Sequence, residues 1–367
     1  MKYKKVGKVI FFTSICGLII FLFGLYSQRS IQFYNGGDKK IHCVGRFDKT
    51  DAKCPKVWAP GAYFEFDFEG AFCELELEDE LRFLILHNYI EVVIDGGIPQ
   101  RIKLTNKFNR VKIGKNLSPG SHHVVICKDT ESAIGYLKLI GIRCAKLLPL
   151  KIRKKKLLEF IGDSITCGNG SDNSQIPFEK GAWYDYHNAY LSYGGLLARK
   201  LDAEYILSAV SGIGLTQSCC GINYTMCDVY DRIGFDKKHK KWNFKQHQKP
   251  DIVFVTLGQN DGLKSESEYE KTYLTFLSSL RKNYKNCTII CCSSPMASSK
   301  FKLQLKNCIG KVAKIMQDKG DENIFSFVYK GLYNAGYDKH PTIKQHQLMM
   351  QELHAFLQEK KLVSAIN

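Results

Sequence analysis

Four polar residues of this sequence have types and positions that would let them act together in a chemical reaction. Ser164 follows the apolar run of LLEFIGDSITCGNG, residues 157–170, and Asp338 and His340 lie two residues apart in GYDKHPT. Acyl transfer by a serine needs a histidine to take the hydroxyl proton and a carboxylate or carbonyl to orient that histidine. We therefore predict Ser164 as the nucleophile, His340 as the base and Asp338 as the third member of a triad. Asn260, after the apolar run of DIVFVTLGQND, adds an amide donor.

The same chemistry needs donors for the negative charge that forms on the carbonyl oxygen. Glycine has no side chain to obstruct a ligand, so SAVSGIG can bring the main-chain N–H of Gly212 close to one. The side-chain amide of Asn260 and the main-chain N–H of Ser164 are the other candidates. We predict that Ser164, Gly212 and Asn260 form an oxyanion hole.

A simpler interpretation of Ser164 is a helix cap, because Asp and Ser both favour the residue before a helix. Capping is compatible with catalysis, since a helix N-terminus favours nearby negative charge. However, it does not explain why Gly212, Asn260 and His340 occur in matching contexts. We expect Asp163 and Asp261 to support turns rather than to act as catalytic acids.

The second half of the chain alternates apolar runs with helix-like segments such as AYLSYGGLLARKL and SEYEKTYLTFLSSLRKNY. This alternation predicts a parallel sheet with helices on both faces. Ligands bind such sheets at the carboxyl ends of the strands, which is where Ser164, Gly212 and Asn260 fall. The predicted fold class is α/β, a three-layer α/β/α domain.

The first half has the period of β-strands. GAYFEFDFEG and FCELELEDE alternate apolar and polar residues, and NYIEVVIDGGIPQRIKL predicts a hairpin around Asp-Gly-Gly. Many short strands of this kind indicate a β-sandwich of the jelly-roll type. We predict an N-terminal segment at residues 1–37, a β-sandwich at 38–150 and an α/β domain at 151–367.

The N-terminus predicts export. The basic MKYKKVGK precedes an uncharged apolar run, Val9–Leu25, whose length is at the border between a signal peptide and a membrane-spanning helix. No clean A-x-A site follows, which favours an uncleaved membrane anchor over a cleaved signal. In either case the chain would be exported, either membrane-anchored or periplasmic or extracellular.

Composition narrows the possible partners. The 367 residues are enough for two domains, and the net charge of +17 lies partly in short runs such as KIRKKK, residues 151–156, which we interpret as a linker. Zinc-finger spacing, an RNP-like aromatic motif and a basic heptad region are all missing from the sequence, so we expect no nucleic-acid partner. We also expect no metal and no cofactor.

Fourteen cysteines in an exported chain raise the question of disulfides. Cys291 and Cys292 lie in an apolar run, where cysteine acts as a small hydrophobic residue. The stretch CCGINYTMC, Cys219 to Cys227, is the best candidate for a local disulfide, although the sequence leaves the pairing open.

Four motifs in order carry a resemblance to a known group. GDSIT (162–166), SG (211–212), GQND (258–261) and DKHP (338–341) resemble the four blocks of the SGNH hydrolases, with Gln where Thr is more usual in the third block. VGRFD (44–48), WAPGAYFEFDFEG, NYIEVVIDGG and HNAYLSYGGLLARKL are similar to carbohydrate esterase family two. The resemblance covers the chain from about residue 41 onward.

The resemblance implies removal of O-acetyl groups from polysaccharides, with acetylxylan the usual substrate and 6-O-acetyl groups preferred. Some members of that family orient the histidine through a main-chain carbonyl, but Asp338 at the motif position favours a full triad here. Trp183 and Tyr184 could stack on a sugar ring or belong to the core, and His187 could line the cleft. Two alternatives are a glycan-binding protein without catalysis and an SGNH esterase or lipase for another acyl group.

Overall fold

The computed structural model describes residues 30–114, 117–150 and 156–363. The predicted membrane anchor, Val9–Leu25, and residues 151–155 of the basic linker lie outside these ranges. Within the described ranges, no helix has both the length and the apolar composition that a membrane crossing requires.

An antiparallel sheet built around one long strand forms the N-terminal part of the molecule. The path β1-β9-β4-β8-β5-β6 runs through it, and β2, β3 and β7 pair with β4 or β9 at its sides. The strands are β1 (Gln32–Asn35), β2 (His42–Val44), β3 (Lys56–Val57), β4 (Tyr63–Asp79), β5 (Tyr89–Ile94), β6 (Gln100–Lys103), β7 (Phe108–Ile113), β8 (Ser121–Lys128) and β9 (Leu137–Leu148). The antiparallel domain and the β5–β6 hairpin predicted from the alternation are confirmed.

Strand β4 unites two stretches that the sequence suggested as separate strands. Its first half pairs with β8 and its second half with β7, and its register with β9 shifts between Glu69 and Cys73. Gly70 lies at this irregularity with φ +119°, a conformation that a side chain disfavours. The bulge bends one strand so that both of its halves bury alternate side chains.

The C-terminal part contains a fully parallel sheet in the order β11-β10-β12-β13-β14. Its strands are β10 (Leu157–Gly162), β11 (Glu204–Ala209), β12 (Ile252–Thr256), β13 (Thr288–Cys292) and β14 (Ile324–Phe327). The helices are α1 (Ser164–Cys167), α2 (Tyr193–Lys200), α3 (Met226–Val229), α4 (Glu266–Asn283), α5 (Ser299–Asp318) and α6 (Ile343–Glu359). The predicted α/β fold class is confirmed.

Helices cover both faces of this sheet, which explains why its strands are mostly apolar. Successive residues of a strand point to opposite faces, and Phe254 packs with α2 and α6 residues such as Leu197 and Leu353. Val253 and Val255, on the other face, share a core with α4 and α5 and with the β domain. The core on the face of Val253 and Val255 is thus continuous between the β domain and the α/β domain.

Buried charge also joins the two parts. Arg46 of the β domain, 1% exposed, pairs with Glu159 of β10 at 3.1 Å and donates to the main-chain oxygen of Tyr230. Arg101 of β6 donates to the main-chain oxygens of Asp185 and His187. Removing one partner of such a pair would leave an uncompensated buried charge. The β domain therefore belongs to the structural support of the α/β domain.

One strand lies within the predicted N-terminal segment, and one disulfide lies within the predicted local stretch, residues 219–227. The strand β1, Gln32–Asn35, pairs with β9, so the sheet includes residues that we had assigned to the N-terminal segment. A disulfide joins the neighbours Cys219 and Cys220, whereas Cys227 is free and exposed. Cys291 and Cys292 are free and fully buried, as predicted.

Candidate active site

Ser164 lies where β10 turns into α1, at the carboxyl edge of the parallel sheet. Gly162 ends the strand, and a Cβ there would come within 2.0 Å of the Thr166 hydroxyl oxygen. Asp163 caps α1 by accepting a hydrogen bond from the N–H of Ile165 at 3.0 Å. The cap is therefore Asp163, and Ser164 is the first residue of the helix. Its hydroxyl is free of the capping role.

His340 reaches Ser164 from the loop before α6. Its Nε2 lies 2.8 Å from the Ser164 hydroxyl oxygen, and both residues are buried. Gly170 makes this approach possible, since a Cβ there would meet the Tyr337 carbonyl oxygen at 2.4 Å and the His340 Cβ at 2.9 Å. The N–H of Tyr337 donates to the Gly170 oxygen at 2.9 Å and holds the two loops together. A serine–histidine pair at hydrogen-bond distance is the geometry of an activated nucleophile.

Main-chain carbonyls, not the predicted carboxylate, orient His340. Its Nδ1 lies 3.0 Å from the main-chain oxygen of Asp338 and 3.2 Å from that of Tyr337. The Asp338 carboxylate is exposed and makes no hydrogen bond or ion pair with the described residues. Asp338 has a left-handed backbone, φ +48°, which turns its carbonyl toward the ring. The structure therefore does not form the predicted Ser-His-Asp triad through the Asp338 side chain.

This arrangement also sets the protonation of the imidazole. A carbonyl oxygen only accepts hydrogen bonds, so Nδ1 must carry the proton and Nε2 must accept from the Ser164 hydroxyl. Burial lowers the pKa of His340 below its ordinary value, and the charge of Asp338 and the two carbonyls oppose this effect only in part. The neutral form, which is the form able to act as a base, is thereby favoured.

The three predicted oxyanion donors lie on the loops that follow β10, β11 and β12. Gly212 has φ +81°, and its N–H takes part in no hydrogen bond with the described residues. The N–H of Ser164 stands in the first turn of α1, where a helix supplies no acceptor. The amide of Asn260 donates to the Ile213 oxygen at 2.9 Å and to Asp163 Oδ2 at 3.4 Å.

Two aspartates support these loops, as the sequence predicted for both. Asp163 is fully buried, burial raises its pKa to about 7, and it contacts both α1 and the Asn260 amide. Asp261 accepts hydrogen bonds from the main-chain N–H groups of Leu215 and Thr216. These contacts tie the Gly212 loop to the Asn260 loop.

The three predicted substrate-binding residues differ in exposure. Trp183 is 38% exposed, whereas the Tyr184 ring is buried and its hydroxyl donates to the Ile85 oxygen at 3.1 Å. His187 is fully buried, packs against Trp183 with ring centroids 4.8 Å apart, and both its ring nitrogens lack partners among the described residues. Burial and the nearby charges of Arg101 and His340 lower the pKa of His187. Of the three, only Trp183 is exposed.

One group of side chains has the composition of a metal site. His42, Glu65 and Glu204 place ligand atoms within 4.8 Å of one another in the described part of the chain. His42 Nε2 and Glu204 Oε1 already form a hydrogen bond of 2.7 Å, which raises the pKa of His42. Glu204 starts β11, at the end of the sheet opposite Gly212, so this group lies away from the serine–histidine pair.

Two protein families match this chain, one in each of its two parts. Residues 160–347, more than half of the chain, match the GDSL-like Lipase/Acylhydrolase family. The chain belongs to this family of GDSL-like acylhydrolases. Residues 43–150 match the carbohydrate esterase 2 N-terminal domain. The two matches lie on either side of the predicted boundary at residue 150, and the exact domain limits stay predictions.

Curated relatives of this GDSL-like acylhydrolase are carbohydrate-active proteins. It is 29% identical to the cellulase/esterase CelE of Acetivibrio thermocellus over 86% of the chain, which spans 39% of that protein's length. It is 26% identical to an acetylxylan esterase / glucomannan deacetylase of Cellvibrio japonicus, over 82% of the chain and 85% of that protein.

Solved structures agree with these matches. A family two carbohydrate esterase from Clostridium thermocellum in complex with cellohexaose superposes with a TM-score of 0.79 at 28% identity, over 88% of this chain and 99% of that one. One from Cellvibrio japonicus gives a TM-score of 0.81 at 25% identity, over 90% and 98%. The predicted resemblance to family-two carbohydrate esterases, and with it the prediction of an esterase, is confirmed.

Proposed function

We propose that this GDSL-like acylhydrolase removes O-acetyl groups from polysaccharides outside the cytoplasm. The observation that carries the proposal is the hydrogen bond of 2.8 Å between Ser164 and His340, next to three donors at the same edge of the sheet. Relatives named as an acetylxylan esterase and glucomannan deacetylase, and one solved in complex with cellohexaose, support a glycan ester as substrate. Preference for 6-O-acetyl groups and export through the N-terminal segment belong to the same proposal.

In the proposed reaction, Ser164 Oγ attacks the acetyl carbonyl carbon while His340 Nε2 takes the hydroxyl proton. The N–H groups of Ser164 and Gly212 stabilise the oxygen that becomes negative. The Asn260 amide joins them by exchanging its hydrogen bond of 3.4 Å with Asp163 Oδ2 for one to that oxygen. The sugar hydroxyl then leaves with the proton from Nε2, and the acetyl group stays on Ser164. Water, deprotonated by the same nitrogen, attacks this acetyl-enzyme, and acetate and the free serine are released.

The pH profile follows from the burial of His340. Because its pKa lies below the ordinary value, the acid limb of kcat/KM should have its midpoint below about pH 6.5. Asp338→Asn removes a negative charge that favours the protonated ring, so it should shift this limb to still lower pH. Initial rates on p-nitrophenyl acetate between pH 4 and 8, with buffers of constant ionic strength, measure the acid limb of the unmodified protein and that of Asp338→Asn. A midpoint above pH 7 in the unmodified protein would contradict the assignment of the carbonyl-oriented imidazole as base.

The acyl group is tested with p-nitrophenyl esters of increasing chain length and by acetate release from acetylated xylan and glucomannan. We expect kcat/KM to be highest for acetate and to fall by at least about tenfold at octanoate. Each methylene that the acyl pocket cannot accommodate weakens binding of the transition state. A long-chain optimum would favour the lipase alternative. Binding of unacetylated oligosaccharides without any ester hydrolysis would favour the glycan-binding alternative.

A further inference from the structure

One acidic side chain of the β domain, Glu131, reaches the loop that carries Ser211 and Gly212. Glu131 lies in the connection between β8 and the 3₁₀ turn Ser132–Ile134, and it is fully buried. Its Oε2 accepts a hydrogen bond of 2.7 Å from the main-chain N–H of Ser211. Ser211 immediately precedes Gly212, so this contact from the β domain lies one peptide unit away from a proposed oxyanion donor.

The same carboxylate oxygen also contacts the helix of the nucleophile. The Cys167 thiol lies 3.8 Å from Glu131 Oε2, within the range of a weak S–H hydrogen bond. Cys167 ends α1, the helix that begins at Ser164. One oxygen of Glu131 therefore contacts both the loop that carries Gly212 and the helix that carries Ser164.

Burying the Glu131 carboxylate costs free energy of folding. Burial raises the pKa of Glu131, and its second oxygen, Oε1, has no hydrogen-bond partner among the described residues. The buried Lys128 amine donates to the main-chain oxygens of Thr130 and Glu131. Its positive charge opposes the rise in the pKa of Glu131 only in part. An apolar side chain of similar size would fill the space without desolvating a carboxylate. The contact with Ser211 is what an apolar side chain could not provide.

We propose that Glu131 is a positioning residue, through which the β domain holds the Ser211–Gly212 peptide so that the Gly212 N–H faces the acyl oxygen. Gly212 has φ +81°, a conformation that glycine adopts without strain, so the direction of its N–H depends on contacts made by the flanking residues. On the other side, the N–H of Cys219 donates to the Gly212 oxygen at 2.8 Å. The inference rests on the oxyanion hole of the proposed function.

Three substitutions at position 131 separate the position of the acceptor from its charge. Glu131→Gln keeps an oxygen at the same reach, Glu131→Asp keeps the charge but withdraws the oxygen by one methylene, and Glu131→Ala removes the acceptor. We expect kcat on p-nitrophenyl acetate to fall by about 10²-fold for Ala, because small displacements of a catalytic group have effects of this size. Asp should lose nearly as much, Gln should recover most of the rate, and KM should change little.

Asp129→Asn is the matched control. Asp129 is two residues away on the same connection and fully buried, and its Oδ1 accepts a hydrogen bond of 3.2 Å from the N–H of Tyr190. It joins the same two parts of the chain, and among the described residues it forms no hydrogen bond with Ser211. We expect this variant to lower the thermal unfolding midpoint while kcat, measured where every variant is folded, stays within about threefold of the unmodified protein.

The kinetic pattern decides between outcomes. Unmodified protein that hydrolyses no ester would refute the proposed function itself. If the unmodified protein is active, kcat of Glu131→Ala at the unmodified level would overturn the positioning role, as would equal losses in Glu131→Ala and Asp129→Asn. Full activity of Asp together with loss in Gln would overturn it too, because charge rather than reach would then matter. Should the Ala variant fail to fold, the comparison of Gln with Asp gives the same decision.

Discussion

Ser164→Ala is expected to lower kcat on p-nitrophenyl acetate by about 10⁴- to 10⁶-fold, to the rate left by the oxyanion donors and binding alone. The reason is the hydrogen bond between Ser164 and His340, the contact through which the hydroxyl would become a nucleophile. Alanine removes one oxygen from a buried position and leaves the cap of α1 intact, because Asp163 makes that cap. The thermal unfolding midpoint should therefore change by only a few degrees.

Two measurements separate loss of chemistry from loss of fold. Rapid acid quenching followed by mass spectrometry should detect an acetylated Ser164 peptide in the unmodified protein and none in the variant. Ser174→Ala is the matched control, since Ser174 is an exposed serine on the connection that follows α1, and its activity should be unchanged. Turnover of Ser164→Ala at the unmodified level would eliminate Ser164 as the nucleophile.

The sequence predicted the edge of the sheet at which the site forms. Apolar runs that end in Ser164, Gly212 and Asn260 were enough, because parallel strands bring their carboxyl ends together whatever the exact packing of the helices. The serine–histidine pair followed from residue type and from the four ordered motifs. These features depend on local sequence and on topology, both of which a linear pattern records.

Contacts across the domain boundary were not predictable in this way. Glu131 lies 80 residues from Ser211 in the chain, on a β-domain connection that belongs to none of the four ordered motifs. The alternation predicts two strands where β4 is a single one, because a bulge at Gly70 interrupts the alternation without ending the strand. The Cys219–Cys220 disulfide lies within the predicted local stretch, but only the loop conformation selects the pair.

The sequence also could not predict which group of Asp338 orients His340, although the two residues are close in the chain. A separation of two residues from His340 permits either the carboxylate or the carbonyl of Asp338 to reach Nδ1, and the sequence analysis favoured the carboxylate. The left-handed backbone at Asp338 decides for the carbonyl and leaves the carboxylate exposed. Backbone conformation in a loop of this kind depends on contacts with distant residues, here with Gly170.

His340→Ala is therefore expected to reduce kcat about as strongly as Ser164→Ala, by about 10⁴- to 10⁶-fold, while Asp338→Asn stays within about fivefold of the unmodified protein at pH 7. A triad carboxylate replaced by its amide would instead cost about 10⁴-fold, since the histidine would hold the wrong tautomer. Asparagine is the right substitution, because it tolerates a left-handed backbone and keeps the carbonyl in place. Initial rates at pH 7 on p-nitrophenyl acetate and on acetylated xylan measure the contrast.

The double variant Ser164→Ala/His340→Ala tests whether the two residues act as one catalytic unit. When two residues act as one unit, removing either one already abolishes the contribution of both to kcat. The double variant should therefore be no slower than either single variant. Losses that multiply would mean that His340 acts on the reaction independently of Ser164, against the hydrogen bond between them. A 10⁴-fold loss in Asp338→Asn would show that the carboxylate turns inward during catalysis, and the carbonyls of Tyr337 and Asp338 would then not be the groups that orient the base.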